Sequence, residues 1–142
     1  LTFYEEGVLG GTYDPIRQEL FHAMKGNGAY LNNERIVVSN KDRLSDALIG
    51  YDLGYVDDKA GKAIEMISDL WPDLQSTRMM GSAALGLAYA ACGRTDIYFH
   101  HHLSAWDLAS GLLLVKEAGG IVTDKHGNPA ELFSGIVFSI SA

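Results

Sequence analysis

Residues 104–111 read Ser-Ala-Trp-Asp-Leu-Ala-Ser-Gly and begin a segment that stays almost wholly apolar as far as Val115. Asp107 is the only charged residue in that segment. A helix without a charged face is covered by the rest of the protein on nearly every side. We therefore expect a deeply packed helix over residues 105–118, ended by Gly119-Gly120. Asp107 then either starts the helix or holds a metal ion.

Strands and helices alternate on both sides of this helix. Strand-like segments cover residues 47–51, 77–80, 97–100, 121–123 and 136–140, and helical patterns cover residues 59–70 and 82–92. Pro72 and Gly93 mark the ends of the two additional helices. This alternation is typical of an α/β fold in which helices cover a sheet. We expect an α/β layered C-terminal subdomain over residues 41–142.

The first 40 residues have a different pattern, in which short strand-like runs are separated by turn residues. Gly26-Asn27-Gly28 and Asn32-Asn33 are strong turn signals, and strands spaced so closely pair antiparallel. We expect residues 1–40 to be antiparallel strands of an N-terminal subdomain. Because the chain opens with Leu1 and strand-like residues follow at once, we also expect it to be a fragment of a longer protein.

The composition excludes several classes of function. The chain has 142 residues, 47% of them hydrophobic, and a formal net charge of -7. This is enough for a core of one-domain size, and without a Lys/Arg cluster we expect neither nucleic acid nor membrane as a partner. The single cysteine, Cys92, is expected to be a small buried hydrophobe, and the absence of disulfides fits a reducing cytoplasm. No apolar run reaches the ~18 residues of a membrane helix.

The residues alone leave two interpretations of Asp107 open. The spacing Ser104-x-x-Asp107 matches a capping box in its Asp variant, with the acid in the first turn, where the helix dipole favours it. A carboxylate at the end of a buried helix is costly, however, unless it is paired or bound to a cation. Hard cations such as Mg²⁺ take oxygen ligands, often one or two carboxylates with water and substrate phosphate.

A series of motifs extends over nearly the whole chain. In its second half these are Gly81-Ser82-Ala83-Ala84-Leu85, Ala88-Tyr89-x-Ala91-x-Gly93-Arg94-x-Asp96-x-Tyr98, Trp106-Asp107-x-Ala109-x-Gly111 and Glu117-Ala118-Gly119-Gly120. Gly10-x-x-Tyr13-x-Pro15, Glu19-Leu20-Phe21-x-Ala23 and Gly26-x-Gly28-Ala29 precede them. Together they resemble the middle and C-terminal segments of the inositol monophosphatase family.

The resemblance implies a layered α/β/α sandwich of the sugar phosphatase type and a Mg²⁺-dependent, often lithium-sensitive hydrolase of phosphoric monoesters. The substrate would be inositol monophosphate or a related sugar or polyol phosphate. Fructose-1,6-bisphosphate, 3′-phosphoadenosine 5′-phosphate and NADP are alternatives within the family, and a catalytically silent, family-like binding protein is an alternative of another class. A cytoplasmic homodimer is also implied.

The same resemblance assigns roles to single residues. Asp107 falls at the metal-binding, catalytic aspartate of the family's W-D motif, and Gly81, Ser82 and Ala83 fall where a helix N-terminus meets substrate hydroxyls. From local sequence, Ser82 is equally well an ordinary N-cap. His100 replaces an acidic residue that bonds a ring hydroxyl, which puts strict myo-inositol specificity in doubt. The run of residues 100–102, three histidines, also allows a transition-metal site, but we expect solvated loop histidines.

One departure from the family decides what this chain can do alone. The family's other metal ligands are a glutamate and a D-P-[IL]-D-G-[TS] motif, both upstream of the segment present here. Residues 13–16, Tyr-Asp-Pro-Ile, imitate the start of that motif, but Arg17 follows in place of its second aspartate, so we expect a turn between strands. Two-metal hydrolysis needs several carboxylates. The 142-residue chain alone is therefore expected to be inactive.

Overall fold

The computed structural model describes residues 2–3, 6–54, 58–132 and 137–140. In chain order the elements are β1 (Thr2–Phe3), β2 (Glu6–Gly7), β3 (Leu9–Asp14), β4 (Glu19–Met24), β5 (Gly28–Leu31), β6 (Glu34–Ile36), a 3-10 turn (Leu44–Asp46), β7 (Leu48–Asp52), α1 (Asp58–Leu70), β8 (Ser76–Met79), α2 (Ala83–Ala91), β9 (Ile97–His100), α3 (Ala105–Glu117), β10 (Ile121–Thr123) and β11 (Val137–Ile140). The predicted helices and strands are all present, with small shifts at their ends.

The first large sheet consists of four antiparallel strands in the order β3-β4-β5-β6, which confirms the predicted antiparallel pairing. Gly26 and Asn32 take positive φ values of 76° and 53° in two of the three turns of this sheet. The side chains of Phe21, Ala23 and Ala29 are completely buried and form its apolar face.

The second large sheet has five strands in the order β10-β11-β9-β7-β8. β9 lies at its centre; β7 lies between β9 and β8 and pairs parallel with both, while β11 pairs antiparallel with β9 and β10. The two parallel connections contain α1 and α2, as parallel pairing requires. The sheet therefore has a parallel α/β side and an antiparallel side, which meet at the central strand β9.

Helices α2 and α3 form a layer between the two sheets, and they share one core with the four-stranded sheet and with Tyr98 of β9. A second core, which includes Ile49, Ala63 and Phe99, joins α1 to the five-stranded sheet. Helices thus cover the five-stranded sheet in the α/β/α order expected. The division into subdomains at residues 40 and 41 stays a prediction.

Two glycines allow this close packing. A Cβ on Gly86 of α2 would lie 2.1 Å from the ring of Tyr98, and a Cβ on Gly111 of α3 would lie 2.4 Å from the side chain of Leu87. Real Cβ atoms do not approach other atoms so closely. The helix layer can therefore rest on the sheet, and its two helices on each other, only because both positions lack a side chain.

Charged contacts tie the four-stranded sheet to the helix layer. Arg94, which follows α2, donates two hydrogen bonds of 2.6 and 2.7 Å to the carboxylate of Glu19. Glu117, at the end of α3, accepts hydrogen bonds of 2.8 Å from the amides of Gly26 and Gly28. The bond from Gly26 is the main cause that lowers the pKa of Glu117.

Cys92 caps the C-terminus of α2 and is less buried than predicted. Its thiol donates a hydrogen bond of 3.4 Å to the carbonyl oxygen of Tyr89, and burial raises its pKa. None of the helices within the described ranges combines the length and the apolar character that crossing a membrane demands.

Candidate active site

The candidate site lies at the carboxyl ends of β7 and β9. These strands are parallel, and their register places Asp52 opposite His100 at that edge. Helix α3 begins a few residues after His100, and its Asp107 acts electrostatically on both His100 and Tyr98. In α/β sheets, ligands bind outside the carboxyl ends of parallel strands. The topology therefore brings the sequence-predicted residues to the edge where a ligand is expected.

The N-terminus of α2 is open to solvent. Gly81 is exposed and takes a φ of +74°, and Ser82 is the N-cap, whose side chain accepts a hydrogen bond of 3.4 Å from the amide of Leu85. The predicted N-cap is thus confirmed. The first amides of a helix have no acceptor within it, so those of Ala83 and Ala84 are available to a hydroxyl or an oxyanion.

Asp52 was missed in the sequence. Its side chain is buried, and its two oxygens accept hydrogen bonds from the Gly81 amide at 2.5 Å and from the Tyr98 hydroxyl at 2.8 Å. Burial, and then the negative charge of Asp52, raise the pKa of Tyr98 far above its ordinary value. The signal was available, since Asp52 directly follows the predicted strand 47–51, at the edge where ligands bind.

His100 contradicts the expectation of solvated loop histidines, because it ends a strand and is only 6% exposed. Its Nδ1 accepts a hydrogen bond of 3.1 Å from the amide of His102. Burial lowers the pKa of His100, although Asp52 and Asp107 oppose that effect. A neutral imidazole whose Nδ1 is an acceptor carries its proton on Nε2, so His100 has one N–H left to donate.

The other two histidines of the run differ from His100. His102 is exposed, as predicted, whereas His101 is partly buried and has an Nε2 without a hydrogen-bond partner in the described ranges. Within the same ranges, no three side chains of His, Cys, Asp or Glu lie close enough together to hold a metal ion. A transition-metal site built from these histidines therefore has no support in the structure.

Asp107 lies in the first turn of α3 and is half-buried. The capping-box interpretation is wrong, because Ser104 occupies the N-cap position but its side chain makes no capping hydrogen bond. The carboxylate of Asp107 accepts no hydrogen bond from the described residues. A half-buried carboxylate without an internal donor is the kind of ligand that a hard cation takes. Asp107 therefore fits a metal as one ligand of an otherwise incomplete set.

The segment that resembles the start of the family's acidic motif leads into a turn between β3 and β4, as predicted. The Asp14 carboxylate accepts hydrogen bonds from the amides of Ile16 at 2.9 Å and Arg17 at 3.2 Å, and it pairs with the Arg17 guanidinium. The hydrogen bond from the Arg17 amide is the main cause that lowers the pKa of Asp14. All of these partners are local, so Asp14 organises the connection between β3 and β4.

Comparison with known proteins gives one consistent result. A family model with the description "Inositol monophosphatase family" matches residues 1–139. The chain is 42% identical to the Nus factor SuhB of Pasteurella multocida over 128 residues, covering 89% of this chain and 48% of that protein. It is 38% identical to the inositol-1-monophosphatase of Mesorhizobium japonicum over 131 residues, covering 92% and 49%.

A solved structure agrees with the two sequence relatives. The extragenic suppressor protein SuhB of Bartonella henselae superimposes with a TM-score of 0.88 at 37% identity, over 94% of this chain and 52% of that one. The chain thus spans about half the length of the relatives it matches. Its motifs, its layered fold and a family match along nearly its whole length agree, and the chain belongs to the inositol monophosphatase family.

Proposed function

We propose that this chain carries one metal ligand and the hydroxyl-binding part of a Mg²⁺-dependent phosphatase. The substrate is inositol monophosphate or a related sugar or polyol phosphate. The observation that carries the proposal is the half-buried Asp107, whose carboxylate has no hydrogen-bond donor among the described residues and lies near His100 and Tyr98. Family membership and a relative named inositol-1-monophosphatase support the same activity.

The competent enzyme is a longer polypeptide that includes residues 1–142, which we refer to as the full-length protein. The chain spans about half of its relatives, and the described residues supply one suitable carboxylate, whereas two-metal hydrolysis needs several. We also propose that the chain divides into its two subdomains between residues 40 and 41 and that the protein is a homodimer in the cytoplasm. Neither nucleic acid nor a membrane is proposed as a partner.

Each residue of the site has a part in this reaction. Asp107 holds the cation, which supplies charge neutralisation and a more acidic bound water. The N-terminus of α2, which the chain enters through Gly81 and Ser82, donates the available amides of Ala83 and Ala84 to the hydroxyls of the substrate. His100 donates its Nε2 proton to a further hydroxyl. The chain's own residues thus hold one metal ligand and orient the alcohol part of the ester.

A catalytically silent binding protein is the second candidate. It is favoured because the described residues form no group of three or more potential metal ligands, and a family fold without the remaining ligands keeps its hydroxyl-binding end but loses hydrolysis. The two candidates differ in a property that is simple to measure, because only the phosphatase releases inorganic phosphate with Mg²⁺ present.

We expect the full-length protein to release phosphate from inositol 1-phosphate with Mg²⁺, and the 142-residue chain to release none. The assay should also include fructose-1,6-bisphosphate, NADP and 3′-phosphoadenosine 5′-phosphate, so that an alternative substrate is detected. Turnover by the chain alone near ~1 s⁻¹, the low end for ordinary enzymes, would show that it does not need further carboxylates. A full-length protein inactive on every ester would leave the binding protein.

A second prediction concerns the breadth of the substrate range. His100 donates a hydrogen bond but lacks the negative charge that favours accepting one from a ring hydroxyl. Losing a hydrogen bond to a charged acceptor costs about 1.5–3 kcal/mol, or roughly ten- to a hundredfold in selectivity. We therefore expect kcat/KM of the full-length protein to favour inositol 1-phosphate over glycerol 2-phosphate by less than about a thousandfold. A stronger preference would contradict this role of His100.

A further inference from the structure

We propose that Asp52 is a positioning residue, whose carboxylate fixes the Gly81 peptide and thereby the hydroxyl-binding first turn of α2. The inference rests on the proposed function for its catalytic consequence. It assigns a role to a side chain that contributes no ligand to the metal and need not touch the substrate. The structure supports the role through the contacts of Asp52, those of Tyr98, and the contrast with Asp96.

The two oxygens of the Asp52 carboxylate contact two different elements, the entrance of α2 and strand β9 of the sheet. Its side chain is only 6% exposed, and each oxygen has one donor, the Gly81 amide at 2.5 Å and the Tyr98 hydroxyl at 2.8 Å. A buried carboxylate is retained only where such donors are present. Gly81 itself is exposed. Asp52 therefore holds the Gly81 peptide from the protein interior, while the other side of this peptide is open to a ligand.

Tyr98 connects the same carboxylate to the body of α2. Its ring is completely buried and lies against Gly86, while its hydroxyl donates to Asp52. The ring therefore sets the distance of α2 from the sheet, and the hydroxyl orients the group that holds the helix entrance. With Asp52 removed, the helix would still rest on Tyr98, but the Gly81 peptide would lose its acceptor.

Asp96 provides a matched comparison at the opposite end of β7. It is also buried, and it accepts hydrogen bonds from the Leu48 amide at 2.6 Å and from Lys41 at 3.1 Å. Asp96 and Asp52 are thus both buried carboxylates that accept a backbone amide. Leu48 begins β7 and Asp52 ends it, so Asp96 lies at the edge of the sheet away from the site. If Asp52 had a purely structural role, alanine at Asp52 and alanine at Asp96 would have equivalent effects on stability and activity.

The experiment compares Asp52→Ala, Asp52→Asn and Asp96→Ala in the full-length protein. The substrates are inositol 1-phosphate and phenyl phosphate, which has no hydroxyls to bind. The exchange rate of the Gly81 amide is measured in parallel. Asparagine keeps an acceptor for Gly81, so it should restore what alanine loses.

For Asp52→Ala we expect KM for inositol 1-phosphate to rise about tenfold or more, as loss of buried hydrogen bonds allows. The kcat/KM for phenyl phosphate should change less than about threefold, and Gly81 exchange should accelerate about tenfold. Asp52→Asn should return all values to within about threefold of wild type, and Asp96→Ala should lower only the Tm. Equal losses for both substrates, or no recovery in Asp52→Asn, would overturn the proposal.

Two further measurements keep the test decisive. If Asp52→Ala does not fold, Tyr98→Phe removes the hydroxyl that orients Asp52, and Gly81 exchange should accelerate about threefold, whereas an unchanged rate would overturn the proposal. If the wild-type full-length protein hydrolyses no ester, the proposed function fails. Gly81 exchange in the 142-residue chain then decides the positioning role by itself.

Discussion

We expect Asp107→Asn to lower kcat of the full-length protein by at least about a hundredfold, or ~2.7 kcal/mol of transition-state stabilisation, and to raise the Mg²⁺ requirement. Asparagine keeps the shape of the side chain but removes the negative charge that a cation needs. The Tm without metal should stay within a few degrees or rise, because a partly buried charge that lacks its cation is a liability. Steady-state kinetics over a Mg²⁺ series and thermal unfolding in EDTA measure both effects.

A suitable control is Asp46→Asn, because Asp46 is also an acidic residue in a first turn but lies in the 3-10 turn after Arg43. There we expect kcat within about twofold of wild type, and a change in stability of about 0.5 kcal/mol or less. If Asp107→Asn lost stability in step with activity, or kept both, Asp107 would only start the helix.

The largest expected change in stability comes from Gly86→Ala. The added Cβ would lie 2.1 Å from the Tyr98 ring, so α2 must lift or the ring must move. Overpacking of this kind typically costs about 1–3 kcal/mol and occasionally more. Because Gly86 and its contact are fully buried, we expect a loss of about 3 kcal/mol in the free energy of unfolding, measured by urea denaturation.

Gly61→Ala is the same substitution in α1, at an exposed position where a Cβ would meet nothing within 4 Å. Alanine is favoured over glycine in a helix by about 0.5–1 kcal/mol, so Gly61→Ala should stabilise the protein. The two variants are thus expected to change stability in opposite directions. Equal stability of both would mean that α2 is not seated on Tyr98 as the structure has it.

The sequence predicted the elements of the fold well because each carries a local signal. The uncharged run from residue 82 to Cys92 predicts a buried helix, and α2 is buried along most of its length. Gly93 and Gly119 take φ values of +71° and +90° after their helices, as C-terminal glycines do. The hydrophobic periodicity of an element and the glycines or prolines that end it are properties of neighbouring residues. They can therefore be recognised in the sequence without knowledge of the fold.

The arrangement of the site depends on contacts between distant residues, which no local pattern contains. Asp52 contacts Gly81 because β7 pairs with β8 and the chain passes directly from β8 through Gly81 into α2. His100 was expected in solvent but ends β9 and is buried. Motif resemblance located Asp107, but only the structure showed that its capping partner is absent.

Synthesis from the N-terminus delivers the four-stranded sheet before the layer that covers it. β6 ends at Ile36, whereas α2 begins at Ala83. Hairpins form within about 1–10 μs, but a ribosome adds only about 5–20 residues per second. The apolar face of Phe21, Ala23 and Ala29 thus stays uncovered, for a time on the order of seconds, until the helix layer has been synthesised. During that interval the nascent chain offers chaperones, and other nascent chains, a surface that the folded protein hides completely.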